Sequence, residues 1–171
     1  MLRANKKGYY FVIDALVGST IIFISLMILL SNSARPTKVQ YNYELAEEYS
    51  TFIITTKVRE LSNPYISNLI LSGIINDTSR TVVEQIDLFY YRNDTVNAGN
   101  MVRNLTEPLI PEKYGFEYNI ITGNNKTNIY IRNSTDIANA RLVISSRKIT
   151  FLQIDSSTMF GPAIVEVKLW I

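Results

Sequence analysis

The chain has 171 residues, 47% of them hydrophobic, with 17 Lys and Arg against 15 Asp and Glu, for a net charge of +2. It contains no cysteine and no histidine. That excludes disulfides, thiolate metal sites and cysteine nucleophiles, and it removes the commonest general base and metal ligand. The basic residues are scattered rather than gathered on one face, so no nucleic-acid partner is expected. Eleven tyrosines and sixteen asparagines give a polar, aromatic character suited to an exposed exterior.

Residues 1–8 form a short basic leader carrying Arg3, Lys6 and Lys7 and ending in Gly8. Residues 9–30 follow as a 22-residue apolar run in which Asp14 is the one charged side chain. As a helix, such a run is about 33 Å long, enough to cross the hydrocarbon core of a bilayer. A secretory signal has a shorter apolar region of about 7–15 residues before its cleavage site. A retained membrane helix over residues 9–31 is therefore expected, although Ser31-Asn32-Ser33-Ala34 superficially fits a signal cleavage site. Positive charge is denser before the run than after it, which places the N-terminus inside and residues 32–171 outside. A carboxylate within a bilayer costs several kcal/mol unless it is paired or near the interface. Asp14 either lies close enough to the headgroups to be tolerated or finds a cation on a neighbouring subunit. Ala15, Gly18 and Ser19 offer small positions at which helices can approach closely.

Beyond the run, residues 31–40 are polar and Pro36 disfavours helix at Arg35, so a break is expected there. Residues 41–61 read as a helix, with Leu45, Tyr49, Phe52 and Ile53 on one face and Ile54, Val58 and Leu61 nearly opposite. Asn63-Pro64 ends it. Residues 65–75 read as a short helix, residues 80–91 as a second short helix or a strand, and the Asn-rich residues 93–104 as a loop. From Phe116 the period becomes two. Phe116, Tyr118 and Ile120 alternate with polar neighbours, a turn follows around Gly123, and residues 129–132 return as the second arm of a hairpin. Residues 141–154 hold one long strand, or two with a bend near Ser145-Ser146. Residues 155–162 read as a loop. Residues 164–171 read as a last strand, with Val165, Val167, Leu169 and Ile171 on one face and Glu166 and Lys168 on the other. The fold class expected is α+β: a long N-terminal hydrophobic helix, then a small domain of short helices and a C-terminal antiparallel sheet.

Five Asn-x-Thr sequons, at Asn76, Asn93, Asn104, Asn125 and Asn133, are candidate glycosylation sites on an exterior domain. The chain holds no phosphate-binding glycine loop, no nucleophile elbow and no histidine-based metal motif. Glu44, Glu47, Glu48 and Glu60 read as solvated charges on a helix, and Asp155 before Ser156-Ser157 reads as a turn cap. No catalytic, cofactor or metal site is expected.

The basic leader, Lys6-Lys7-Gly8, followed by an aromatic apolar helix with an acid near its start (Phe11 to Ala15 in the form Phe-x-x-Asp-Ala), resembles the class III signal of type IV pilins and archaeal pilin-like proteins. The resemblance covers about 25 residues. It implies a cut by a prepilin peptidase between Gly8 and Tyr9, with Lys7 in the recognition motif. It also implies a mature helix that packs with its like in a filament core or pseudopilus, and an acid that pairs with a neighbour's free N-terminal amine. That acid here is Asp14. The bacterial pattern has glutamate at the fifth mature position, whereas Asp14 is the sixth. The function implied is a structural subunit, membrane-anchored or incorporated in a filament, with no cofactor. The alternative is a monomeric membrane-tethered ectodomain that binds a ligand without polymerising.

Overall fold

The computed structural model describes residues 6–33, 38–134 and 136–171. It divides into two units, Met1–Lys38 and Val39–Ile171. The first holds one helix, α1 (Lys6–Ser33). Within it the 21 residues Tyr10–Leu30 have a mean hydropathy of 2.4, and none of them is buried. A helix that is apolar on every side and covered on none is suited to a membrane or to partner helices, not to a globular core. The break expected at Pro36 falls outside the described residues.

The second unit carries the remaining helices and all of the sheet. α2 (Lys38–Thr55) ends six residues earlier than the sequence pattern predicts. The apolar face changes there because the chain leaves the helix. Val58 donates its N–H to Arg80 O at 2.9 Å and Val82 donates to Thr56 O at 2.9 Å, tying this exit to the start of a later helix. A 3₁₀ turn, Val58–Glu60, buries Val58. α3 (Pro64–Leu71) begins where sequence places a helix stop followed by a start. Asn63 caps it by accepting the N–H groups of Tyr65 and Ile66, and proline occupies the first turn. α4 (Val82–Tyr91) has a capping box in which Thr81 accepts from Glu84 N and Glu84 accepts from Thr81 N. This cap resolves the choice between strand and helix at residues 80–91 in favour of helix.

The largest departure from the sequence reading is α5 (Thr95–Leu109), which occupies residues expected to form a loop. Asparagines and Gly99 dominate the composition there. Beneath them Ala98, Met101, Val102, Leu105 and Thr106, all buried, repeat at the spacing of a helical stripe. Asp94 supplies the N-cap by accepting Asn97 N. At Gly99 the helix approaches the sheet closely, since a Cβ there would stand 3.0 Å from the Ile129 carbonyl oxygen. Pro108 lies inside the last turn and cannot donate to the Asn104 carbonyl. The Asn63 side-chain amide donates to that carbonyl instead, at 3.2 Å, which also fixes the start of α3 against α5.

Four strands, β1 (Gly115–Thr122), β2 (Asn125–Arg132), β3 (Val143–Gln153) and β4 (Met159–Trp170), make one antiparallel sheet in the order β2-β1-β4-β3. The turn between β1 and β2 is tighter than predicted, with Gly123 at φ +58. β3 is a single strand whose irregularity lies between Thr150 and Leu152 rather than at Ser145-Ser146. β4 starts at Met159, inside the segment read as loop. One sheet face carries Phe116, Tyr118 and Ile120 from β1 and Ala163, Val165, Val167 and Leu169 from β4, all buried in one core with Tyr49 and Ile53 of α2, Ile86 and Phe89 of α4 and Met101 of α5. Tyr49 meets Phe116 edge-on at 5.0 Å between ring centres. The unit is thus α+β with helices on one face of an antiparallel sheet.

Candidate functional site

The helix α1 carries the processing and assembly positions read from sequence. Lys7, Gly8 and Tyr9 lie in its first turns, with the backbone already helical from Lys6. Asp14 is exposed and makes no ion pair among the described residues. The neighbouring hydroxyls need no outside partner. Ser19 Oγ donates to Leu16 O at 2.9 Å and Thr20 Oγ1 to the same carbonyl at 2.7 Å, folding their polarity back onto the helix. Asp14 is the one charged side chain between Tyr10 and Leu30, and an apolar environment leaves its charge unsatisfied. Gly18 has nothing within 4 Å of the place a Cβ would take, so this small position stands open.

The five sequons are not equivalent. Asn76, Asn93, Asn125 and Asn133 are exposed. Asn93 adopts φ 59 at the junction of α4 and α5, and Asn125 begins β2 just after the hairpin turn. Asn104 lies within α5, half-buried, and its side-chain amide donates to Asn100 O at 2.8 Å. Its Thr106 is fully buried, donating to Val102 O at 2.8 Å and meeting Tyr49 Oη at 3.0 Å. An enzyme acting on the folded domain therefore reaches neither end of that triplet. Mass mapping of glycopeptides from surface material is expected to find any sugar at the four exposed sites and none at Asn104. A glycan at Asn104 would show that attachment precedes folding.

The second sheet face, opposite the core, holds a concentrated set of charges. Glu166 of β4 is 1% exposed. Its Oε1 accepts from Arg147 Nη2 at 2.5 Å and Nε at 2.7 Å, and Oε2 accepts from Lys126 Nζ at 2.8 Å. Lys168 stands 3.7 Å away and also pairs with Glu117 at 3.3 Å. Burial would raise the Glu166 pKa, but the hydrogen bonds from Lys126 and Arg147 bring it down to about 2. On the core side, Glu47 of α2 is not the free solvated charge expected from sequence. It accepts from Ser146 Oγ at 2.8 Å and pairs with Lys148, and these bonds lower its pKa. Asp155 behaves as predicted, capping its turn by accepting from Ser157 N and Thr158 N at 2.8 Å each.

A different kind of group lies at Asp87 on α4. It is fully buried, and neither carboxyl oxygen has a partner at full hydrogen-bonding distance and angle, although the Thr150 hydroxyl is near enough to favour the charged form. Among the described residues no cluster of three or more His, Cys, Asp or Glu side chains could hold a metal ion. The shallow groove between α2 and the end of α5 is lined by Leu45, Glu48, Tyr49, Phe52, Leu109 and Ile110, so it brings no set of reactive groups together.

The chain matches no family model, and no curated protein or solved structure matches it.

Sequence and structure divide the candidate residues cleanly. Lys7, Gly8, Tyr9 and Asp14 fall on α1 alone, while the sequons are spread over α5, the hairpin and the loops of the second unit. Sequence reasoning missed Asp87, because residue 87 lies within a short apolar pattern where an acid reads as the solvent side. The available signal was α4 itself. Its seven buried residues run almost continuously from Val82 to Phe89, which leaves no wide polar side for an acid to occupy.

Proposed function

We propose that the protein is a structural subunit of a type IV pilus-like surface filament or pseudopilus, processed by a prepilin peptidase and assembled through α1. The observation that carries this reading is the pairing of a wholly unburied apolar helix, interrupted by one acid and preceded by Lys-Lys-Gly, with a domain whose core is complete without it. A helix kept in the bilayer until assembly must bury its sides against something, and like helices serve through close packing at small positions such as Ala15, Gly18 and Ser19. The α+β layout of the second unit, helices on one face of an antiparallel sheet, also suits a pilin-like subunit. In this reading residues 32–171 lie outside the cell, and the exposed sequons are candidate carriers of sugar.

Cleavage after Gly8 frees an amine at Tyr9, and Asp14 of the adjoining subunit pairs with it in the bundle. Subunits related in this head-to-tail manner form open-ended assemblies, as filaments require.

Two measurements test the reading. Intact mass of surface material should correspond to a chain beginning at Tyr9; a chain still carrying Met1 would overturn the processing step. Asp14→Ala should lower filament yield by about tenfold or more, because 1.4 kcal/mol is tenfold in an association constant and an unpaired charge in an apolar bundle costs several kcal/mol. The outer domain should keep its fold. Unchanged filaments in Asp14→Ala would remove the pairing role, and wild-type material that is monomeric in detergent and never filamentous would favour a tethered ectodomain.

A further inference from the structure

Asp87 is held without a counter-ion by every element around it. On α4 itself the nearest acid is Glu84, one turn earlier, whose carboxylate is committed to the cap by accepting Thr81 N at 2.7 Å. Glu84 opposes ionisation of Asp87. From β3 the Thr150 hydroxyl eases that ionisation, but it also reaches the Ala163 carbonyl at 3.4 Å. The β3 cations are engaged elsewhere, Lys148 with Glu47 and Arg147 with Glu166 on the opposite sheet face. From β1 comes Tyr118, fully buried, whose hydroxyl also has no partner and whose own ionisation is opposed first by burial and then by Asp87. Tyr49 of α2 is buried too, with its hydroxyl on Thr106. Arg103 and Glu107 of α5 pair with each other in solvent at 2.8 Å. No Lys or Arg among the described residues forms an ion pair with Asp87.

An ionised carboxylate is poorly accommodated in such a place, whereas a protonated one carries no charge to desolvate. We propose that Asp87 is a proton-operated latch: with its proton, α4 packs firmly on the sheet, and without it α4 loosens to hydrate the charge. The device does not depend on whether the chain forms filaments.

The direction of the pH response follows from linkage. Burial pushes Asp87 up to about 7, with Glu84 adding to the shift and Thr150 offsetting part of it. An unfolded Asp titrates near 3.9. Between these values the folded state holds a proton that the unfolded state has released, so stability falls as pH rises and levels off above about 7. The other strongly shifted carboxylates, Glu166 and Asp155, are lowered to about 2 and act on the acid side of this window.

The test is urea unfolding of the full chain in detergent micelles from pH 5 to 8.5, with amide exchange followed at α4. The folding equilibrium constant should fall by about two powers of ten across that range, and α4 amides should lose protection ahead of those in β1 and β4. Asp87→Asn should give a profile flat over the same range. If Asp87→Asn does not fold, Asp87→Leu and the exchange pattern of the wild-type chain carry the same test. A wild-type urea midpoint that stays fixed between pH 5 and 8.5, or one that falls equally in the substituted chain, overturns the latch.

Discussion

Gly115→Ala is expected to destabilise the domain by about 3 kcal/mol, through a contact rather than through backbone freedom. A Cβ on Gly115 would stand 1.9 Å from Trp170 Cε2 and 2.2 Å from its Nε1. Gly115 and Trp170 are direct partners across β1 and β4, and the indole lies over the glycine with 1% of the residue exposed. A rigid ring cannot yield as a flexible chain end can, so the methyl group must expel it. Overpacking costs about 1–3 kcal/mol, and removing a buried Trp side chain altogether costs about 3–5. Trp170 is the chain's one tryptophan, so its emission reports the event directly. Fluorescence should shift to the red in the folded Gly115→Ala protein. In a Trp170→Ala background the same glycine substitution should cost little, since the two effects are not independent. Gly123→Ala is the control: it has open space but φ +58, so it should lose only about 1 kcal/mol and leave the emission unchanged. An equal loss at both glycines would show that the indole does not occupy the glycine's place.

The second large effect is expected at Glu166→Gln, about 2–3 kcal/mol at neutral pH. The substitution leaves Arg147, Lys126 and Lys168 around a neutral side chain, with Glu117 as their remaining acid. Removing one partner of a buried pair costs about 3–5 kcal/mol. The lower figure applies here because Arg147 is 64% exposed and Lys126 40%, so both can turn toward water. The sign of the pH dependence is opposite to that of Asp87. A carboxylate lowered to about 2 adds stability above its unfolded value near 4.3, and that stability is lost as pH falls toward 2. Urea midpoints for the wild-type chain should therefore fall on both sides of an optimum near pH 4–5. Glu166→Gln should shrink the acid limb, which Asp155 shares, and leave the limb between pH 5 and 7 in place. A wild-type acid limb that survives unchanged in Glu166→Gln would show that other carboxylates carry it.

What could be read from the sequence was what depends on near neighbours. The apolar run of α1, the Asn63-Pro64 boundary and the alternation of β1 and β4 each follow from residues a few positions apart. α5 was illegible because asparagine composition masked a sound stripe at Ala98, Met101, Val102, Leu105 and Thr106. Its stability also draws on partners that no local pattern contains, such as Asn63 on the carbonyl that Pro108 leaves free. Glu47 and Glu166 read as solvent-facing charges because helix and strand periods place them on polar sides. The basic side chains that enclose them arrive from strands far along the chain. Asp87 is the converse: the tertiary structure buries an acid that no local rule would bury. For α1 the sequence was the fuller source, since none of its residues from Tyr10 to Leu30 is buried.

The order β2-β1-β4-β3 has a consequence for how the chain is made. β4 follows the other three strands in sequence, yet it stands between β1 and β3 and holds both. During synthesis the β1–β2 hairpin can close early, whereas β3 has no strand to pair with until residues 159–170 arrive. A ribosome or translocation channel that still holds residues 159–170 therefore keeps the sheet open. Premature termination before Met159 yields two unmatched sheet edges and a core without Val165, Val167 and Leu169, a product suited to degradation rather than to folding.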